Sequence, residues 1–287
     1  VTSVGIDVGG TKCHGVLLSD SGEVLNELRL PTPHADQLVN LLEDMYRQLG
    51  SGNHVGLGIG VPGLITADGV IVASPNMRGA HNITVGPSLR ERLSVSVHVE
   101  NDATVAALAE WKVGAAVGTR DALMVTLGTG IGGGIVSGGE LQRGSHGFAG
   151  EIGHMVVMAE GIECVCGQRG CWERYASGSA FRMLSGGNSG EDVVAAAESG
   201  DDSAINVVTE FARWVAVGLI SLINLLDPEV VVIGGGVVES SHVIMPHVRD
   251  WCSQLLYSPS YRPHPRIETA VLGERAGAIG AAFSVTL

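Results

Sequence analysis

The chain is short of basic charge. Seventeen Lys and Arg stand against 30 Asp and Glu in 287 residues, a formal charge of −13, and the cations form no cluster. General affinity for nucleic acid or for an anionic membrane needs basic surface, so the charge argues against both kinds of partner. A local anionic ligand is not, because backbone amides and helix ends bind phosphate without side-chain charge. Cysteine is scarce as well: five residues, an odd number, with Cys13 and Cys252 isolated in apolar surroundings. No secretory signal precedes Val1 and no stretch reads as a membrane span, which points to the cytoplasm, where disulfides are disfavoured.

What the chain has in excess is glycine, 42 residues, about twice the ordinary share. A hydrophobic content of 45% and a mean hydropathy of +0.28 describe a globular protein with a substantial core. Its length suits two domains or one large one.

The glycines punctuate strands. Ser3 to Leu18 reads as a strand, a turn at Gly9-Gly10-Thr11-Lys12, and a return strand. Because a strand and not a helix follows the turn, neither a P-loop nor a dinucleotide fingerprint fits. Two readings of Asp7 to Lys12 stay open. It is an ordinary hairpin end, or it offers backbone N–H groups to phosphate, with Thr11 and Lys12 adding a hydroxyl and a charge. Val24 to Leu30 extends the meander, and apolar residues at 38, 41, 42, 45 and 49 predict a helix over Leu38 to Leu49. Val55 to Val61 is a buried strand whose alternating glycines invite close packing; it ends at Pro62-Gly63. Val70 to Ala73 is a short strand before the polar loop Ser74 to Asn82.

Val95 to Val99 runs as a strand into Glu100-Asn101-Asp102, and an alanine-rich helix follows to about Val113. Asp102 is then the cap of that helix, which its spacing favours, or a general base at the carboxyl end of a strand. A carboxylate has two oxygens, so the two are compatible. Past Arg120-Asp121 the opening repeats: strand Ala122 to Leu127, turn Gly128-Thr129-Gly130, strand Ile131 to Val136. The duplication predicts two related halves facing each other across a cleft. Glu191 to Glu198 and Ser203 to Leu226 are helical; the second turns apolar all round from Val215, which suits burial between layers or a subunit contact. The strand Glu229 to Ile233 enters Gly234-Gly235-Gly236, a tight turn or a bed for a flat ring. Helix Val243 to Leu256, strand Ile267 to Val271 and the small-residue helix Ala276 to Ala282 complete the pattern.

The densest chemistry lies between Glu151 and Glu173. His154, Cys164, Cys166 and Cys171 form a one-histidine, three-cysteine set suited to a closed tetrahedral zinc site. A disulfide with a spare thiol is the competing reading, disfavoured by the odd count and the reducing setting. Gly161, Gly167 and Gly170 permit the sharp turns of a metal knuckle. A metal there would also fix Glu151, Glu173 and an edge of His154 as a polar binding surface.

These strings resemble the ROK family of sugar kinases, in the actin-like ATPase superfamily, and within it the bacterial glucokinases. The resemblance covers essentially the whole chain, through Asp7 to Lys12, Glu100-Asn101-Asp102, Thr126 to Gly130 and Gly234 to Gly236. Its most specific part is Glu151-Ile152-Gly153-His154 followed by Cys164 to Glu173. It implies an α/β fold of the two-domain actin-like (ribonuclease H-like) ATPase type with a cleft between the domains. The expected division is 1–103 plus 275–287 and 104–274, the latter carrying the zinc loop. It implies an ATP-dependent hexose kinase acting on the sugar 6-hydroxyl, with Asp102 as catalytic base. Gly63, Asn76, Asn101, Asp102, Glu151, His154 and Glu173 would bind the sugar, His154 doubling as a zinc ligand. Asp7, Gly9, Gly10, Thr11, Lys12, Gly128, Thr129, Gly130, Gly234, Gly235 and Gly236 would bind ATP, with Mg²⁺ held through water by Asp7. Structural Zn²⁺ would sit on His154, Cys164, Cys166 and Cys171, and the assembly would be a homodimer or homotetramer.

One departure stands out. Glucokinases of this family usually carry a tryptophan soon after the Ser74-Pro75-Asn76 string, where this chain has Arg78-Gly79-Ala80-His81-Asn82. The sugar is therefore expected to be a hexose before it is expected to be glucose. Mannose, fructose or an N-acetylhexosamine as acceptor, polyphosphate as donor, and a sugar-responsive regulator are the alternatives. The scarcity of cations weighs against the last two.

Overall fold

Each glycine–threonine turn closes a pair of neighbouring strands, and each pair opens a five-stranded sheet. The computed structural model describes residues 2–50, 55–74, 77, 79–236 and 240–286. It divides into two compact units: Val1–Gly118, Gly134–Gly150 and Val271–Leu287 form the first, Thr119–Gly133 and Glu151–Ala270 the second.

In chain order the first unit begins with β1 (Ser3–Val8), β2 (Lys12–Leu18) and β3 (Val24–Pro31), then α1 (Leu38–Gly50) and β4 (Gly56–Val61). Three short strands, β5 (Leu64–Ile65), β6 (Ile71–Ala73) and β7 (His81–Ile83), make a small antiparallel sheet. α2 (Val85–Leu93), β8 (Val97–Asn101) and α3 (Asp102–Val113) follow. The main sheet has the order β3-β2-β1-β4-β8. β1 to β3 form an antiparallel meander, and β1, β4 and β8 run parallel. α1 buries Leu38, Leu42, Met45 and Leu49 of its predicted stripe against the core, together with Tyr46.

The second unit takes up the chain with β9 (Ala122–Leu127) and β10 (Ile131–Ser137), which leads back to the first unit through β11 (Glu140–Leu141). Helices α4 (Glu173–Ala176), α5 (Gly178–Leu184), α6 (Gly190–Glu198) and α7 (Asp202–Leu226) come next, then β12 (Val230–Gly234), α8 (Ser241–Leu255) and β13 (Arg266–Thr269). The second sheet has the order β11-β10-β9-β12-β13, with β9, β12 and β13 parallel. Position for position this is the plan of the first sheet. α7 is apolar and long enough to cross a bilayer by length and composition, contrary to the expectation that no stretch would be. Its apolar side is instead covered by α4, α5, α6 and α8.

α9 (Ala276–Ser284) closes the chain in the first unit, lying on β1 and β4 and against α3. The glycines of those strands make this possible. A Cβ on Gly5 would lie 2.0 Å from the carbonyl oxygen of Ala278, and one on Gly58 1.6 Å from that of Ala281. The small-residue helix therefore rests on bare strand backbone, the close packing that the alternating glycines predicted. Packing on α9 and β4 also places α3 in the first unit, along with Gly134–Gly150, whereas the expected division assigned 104 onward to the second.

Sequence reading found β6 as the short strand Val70 to Ala73 but passed over α2 and the other two strands of the small sheet. α2 opens Val85-Gly86-Pro87, and Gly86 and Pro87 argue against a helix yet are tolerated in its first turn. Strands of two or three residues are too short to show alternation.

Candidate active site

Parallel strands β1, β4 and β8 end at one edge of the first sheet, the edge where open α/β sheets place ligands. Asp7 pairs in register with Gly60, and Asn101 pairs with Val61. The position a Cβ would occupy on Gly60 is 3.4 Å from Asp7 Oδ1 and 3.6 Å from Asp102 Cα, so the two aspartates flank one glycine. Gly277, in the first turn of α9, abuts Asp7 in the same way: a Cβ there would lie 2.5 Å from its carboxyl carbon. Burial, and then the charge of Asp102, raise the Asp7 carboxyl to about 7. Burial also raises Asp102, against the lowering effect of the Ala103 N–H that its carboxylate accepts.

The cap of α3 is not Asp102. Asn101 is the N-cap, with extended backbone (φ −63°, ψ 144°) and its Oδ1 accepting the N–H groups of Ala103 and Thr104 at 2.9 and 3.2 Å. Asp102 is the first helical residue, and its Oδ1 accepts Ala103 N–H at 2.9 Å. Asn and Asp cap about equally well, so spacing could not choose between neighbours. Asn101 Nδ2 donates to the carbonyl of Gly63 at 3.2 Å, which brings that predicted sugar residue beside the helix start. Asn76 lies outside the described residues.

The turn after β1 is closed by Gly9 N–H donating to the Lys12 carbonyl at 3.0 Å. Thr32 braces it from behind, its hydroxyl on the Gly9 carbonyl at 2.6 Å and its N–H on the Thr11 carbonyl at 3.0 Å. Gly10, Thr11 and Lys12 are exposed, and Lys12 Nζ pairs with Glu274 at 2.7 Å. Neither Thr32 nor Glu274 carries a local signal in the sequence.

In the second unit the ends of β9 and β12 gather the other predicted nucleotide residues. Gly128 N–H donates to the Gly130 carbonyl at 3.0 Å, and Gly178 N–H, at the start of α5, donates to the Gly128 carbonyl at 2.8 Å. Gly234 pairs with Thr126, and a Cβ on Gly235 would lie 2.4 Å from the Leu127 carbonyl oxygen, so Gly234–Gly236 leaves the sheet beside the Gly128–Gly130 turn. Glu173 joins them: its Oε2 accepts the N–H of Ile131 at 2.9 Å.

His154, Cys164, Cys166 and Cys171 come together with their ligand atoms all within 4.8 Å of one another. Cys164 Sγ lies 3.7 Å from His154 Nδ1 and Cys166 Sγ 3.6 Å from Cys171 Sγ. Those separations match the edges of a tetrahedron around zinc, about 3.8 Å for two thiolates at ordinary Zn–S distance. They are far beyond a disulfide bond, and all five cysteines are free. Burial, then the neighbouring thiols, push the Cys171 thiol up to about 12, a crowding that a divalent cation would reverse. The residues fit Zn²⁺.

The knuckle has its own frame. Cys164 N–H donates to the Gln168 carbonyl at 2.8 Å, and Gly170, at φ +78°, turns against the Met158 carbonyl, where a Cβ would come within 1.7 Å. Fully buried Trp172 anchors it to α7 through an indole N–H on the Trp214 carbonyl at 2.8 Å. That anchoring role was not read from the sequence, although a tryptophan directly after a ligand cysteine was a usable cue. Nδ1 is the His154 nitrogen turned to the thiols. Glu151 starts the short 3-10 turn Ile152–His154 and is exposed.

A sequence model described as the ROK family matches residues 3–286. The chain belongs to the ROK family. Among curated relatives of this ROK protein, the glucokinase of Streptomyces coelicolor is 32% identical over 98% of this chain and 96% of its own. The xylose repressor of Bacillus subtilis is also 32% identical, over 97% of this chain and 75% of its own. Among solved structures, the ROK family glucokinase from Streptomyces griseus in complex with glucose and AMPPNP matches with a TM-score of 0.85 at 32% identity, covering 99% of both chains. The fold is the two-domain actin-like ATPase fold expected from the sequence.

Proposed function

We propose that this ROK protein is a cytoplasmic, ATP-dependent hexose kinase, a sugar phosphotransferase with glucose as the first acceptor to test. One observation carries most of the weight: two aspartates brought to the carboxyl edge of a parallel sheet and made more basic by burial. A protein that only binds a sugar and reports on it has no use for such a base. The likeness to a glucokinase that binds glucose and AMPPNP supports the same reading.

In this reading the sugar 6-hydroxyl oxygen attacks the terminal phosphorus of ATP. The bond from that phosphorus to its bridging oxygen breaks, ADP leaves with the electron pair, and the hydroxyl proton passes to Asp102. Phosphoryl transfer asks a protein mainly for positioning and charge neutralisation. A carboxylate in reach of the hydroxyl adds on the order of 10²- to 10⁴-fold. Raised proton affinity suits Asp102 to that work, and the Asn101 cap fixes where α3, and so Asp102, begins. Asp7 would hold Mg²⁺ through water, an ion whose chemistry is to offset phosphate charge. Gly9, Gly10, Thr11, Lys12 and Gly128 to Gly130 take the phosphates, and Gly234 to Gly236 the adenosine. Gly63, Asn76, Asn101, Glu151, His154 and Glu173 read the sugar hydroxyls. Zinc on His154, Cys164, Cys166 and Cys171 would supply rigidity to that loop. The assembly in this reading is a homodimer or homotetramer.

A coupled ADP-release assay over a panel of hexoses and N-acetylhexosamines, with ATP and then polyphosphate as donor, tests the reading. Turnover with one hexose and ATP is expected. Silence with every sugar and both donors would overturn it, and sugar-dependent DNA binding by the same silent sample would put a regulator in its place.

A further inference from the structure

Glu110 stands on the last turn of α3 and is only 1% exposed. A carboxylate is unwelcome at that end of a helix, where the backbone carbonyls already concentrate negative charge. A residue that breaks a local rule needs a reason elsewhere. Glu110 Oε1 accepts the N–H groups of Val271 and Leu272, both at 2.9 Å, and Oε2 accepts Ala115 N–H at 2.8 Å. Gly114 leaves room for this, since a Cβ there would lie 2.1 Å from Oε2. The Glu110 carbonyl takes the N–H groups of Gly114 and Ala116 at 3.1 and 3.0 Å.

One residue thus ties down two stretches far apart in sequence. Gly114 to Ala116 come just before the chain leaves the first unit at Gly118, and Val271 and Leu272 are where it returns after Ala270. The returning stretch forms a strap, with a 3-10 turn over Gly273–Arg275 that runs into α9. Glu274 Oε1 holds Lys12 Nζ at 2.7 Å and its Oε2 holds Arg29 at 3.0 Å. Arg275 pairs with Glu27 at 2.7 Å. Gly277, two residues further, abuts the Asp7 carboxyl. From Glu110 the contacts reach the strap in one step, and Lys12 and Asp7 in the next.

We propose that Glu110 is a positioning residue for the nucleotide end of the reaction: it fixes the strap whose Glu274 aims Lys12 and whose Gly277 backs Asp7. The inference rests on the kinase reading, in which Lys12 and Asp7 serve the phosphates and their cation.

The test compares wild type, Glu110→Gln and Glu274→Gln by KM for ATP, kcat, sugar Kd measured calorimetrically without ATP, and Tm. Glutamine keeps the size of Glu110 but replaces one accepting oxygen with an N–H₂ group, so at least one of the three donors loses its partner. Glu110→Gln is expected to raise KM for ATP and lower kcat, each on the order of 10-fold, with sugar Kd within about 2-fold. The Glu274–Lys12 pair is half-exposed and adds little to stability. Glu274→Gln is therefore expected to keep the wild-type Tm while raising KM for ATP about 3-fold, an effect that a mere brace would not produce. A Glu110→Gln protein with lowered Tm but wild-type KM for ATP, or with sugar Kd and ATP KM weakened alike, overturns the inference. If wild type phosphorylates no sugar, the kinase reading fails separately, and calorimetry with Mg²⁺ and AMPPNP decides the strap alone. Weaker nucleotide binding by both variants upholds it, and unchanged binding overturns it.

Discussion

The two sheets place different chemistry at one and the same backbone position. Asp7 and Thr126 are each the penultimate residue of the first strand of a sheet, just ahead of a glycine turn. Each pairs in parallel register with a glycine, Gly60 and Gly234 respectively. In the second unit the hydroxyl of Thr126 accepts the N–H of Gly132 at 3.2 Å and finishes its own turn. In the first, a carboxyl is buried beside a second one and raised to about 7. The neutral version serves the fold and the charged version works against it. Perturbed carboxylates of that kind are candidates for site residues, and of the two equivalent positions it is Asp7 that the proposed kinase chemistry uses.

Four experiments break or sharpen this contrast, the largest effect first. Asp102→Asn is expected to lower kcat by about 10²- to 10⁴-fold while sugar Kd stays within about 3-fold. A kcat near wild type would reduce Asp102 to the first turn of α3. On the side of the second unit, Cys166→Ala is expected to lower zinc per chain, measured by elemental analysis, and activity together, with a loss of stability of several kcal/mol. Full activity in a demonstrably metal-free sample would show that the knuckle holds Glu173 and His154 without the ion.

Asp7→Asn separates function from stability. The folded-state value of about 7 lies above the unfolded one near 3.9. The folded protein therefore binds the extra proton, and stability falls as pH rises from about 4 to about 7 and stays low above. Without added Mg²⁺, the variant should be more stable than wild type at pH 8 by on the order of 1 to 3 kcal/mol, with the gap closing by pH 4, while turnover collapses. A melting curve unchanged at pH 8 would remove the charge from the argument. The smallest effect belongs to Thr126→Val, which gives up one hydrogen bond and about 1 kcal/mol, with no dependence on pH. A pH-dependent loss there would mean that the two positions are not as different as their side chains.

Much of this was legible because it was local. Glycine–threonine turns between apolar runs announced both hairpins, and the spacing of His154, Cys164, Cys166 and Cys171 announced a cluster that the fold assembles. Asp102 was placed where β8 gives way to α3, as the fold has it, but the cap was given to it when its neighbour Asn101 holds the orphan N–H groups. What stayed hidden depends on distant partners. Glu110 looks like any helix glutamate until Val271 and Leu272 arrive from 161 and 162 residues away. Glu274 meets Lys12 across 262 residues. Nothing near α3 announced that the helix packs on α9 and so belongs to the first unit.

The seat of α9 on Gly5 and Gly58 bears on how the protein is made. A ribosome delivers β1 and β4 more than 200 residues ahead of α9, so the face that Ala278 and Ala281 cover stays open to water until α9 has emerged. Contacts of such long range also slow folding. The amino-terminal unit must complete itself after the other has had its chance, and a nascent chain cut short before Ala276 leaves it with an uncovered sheet for chaperones or proteases to find.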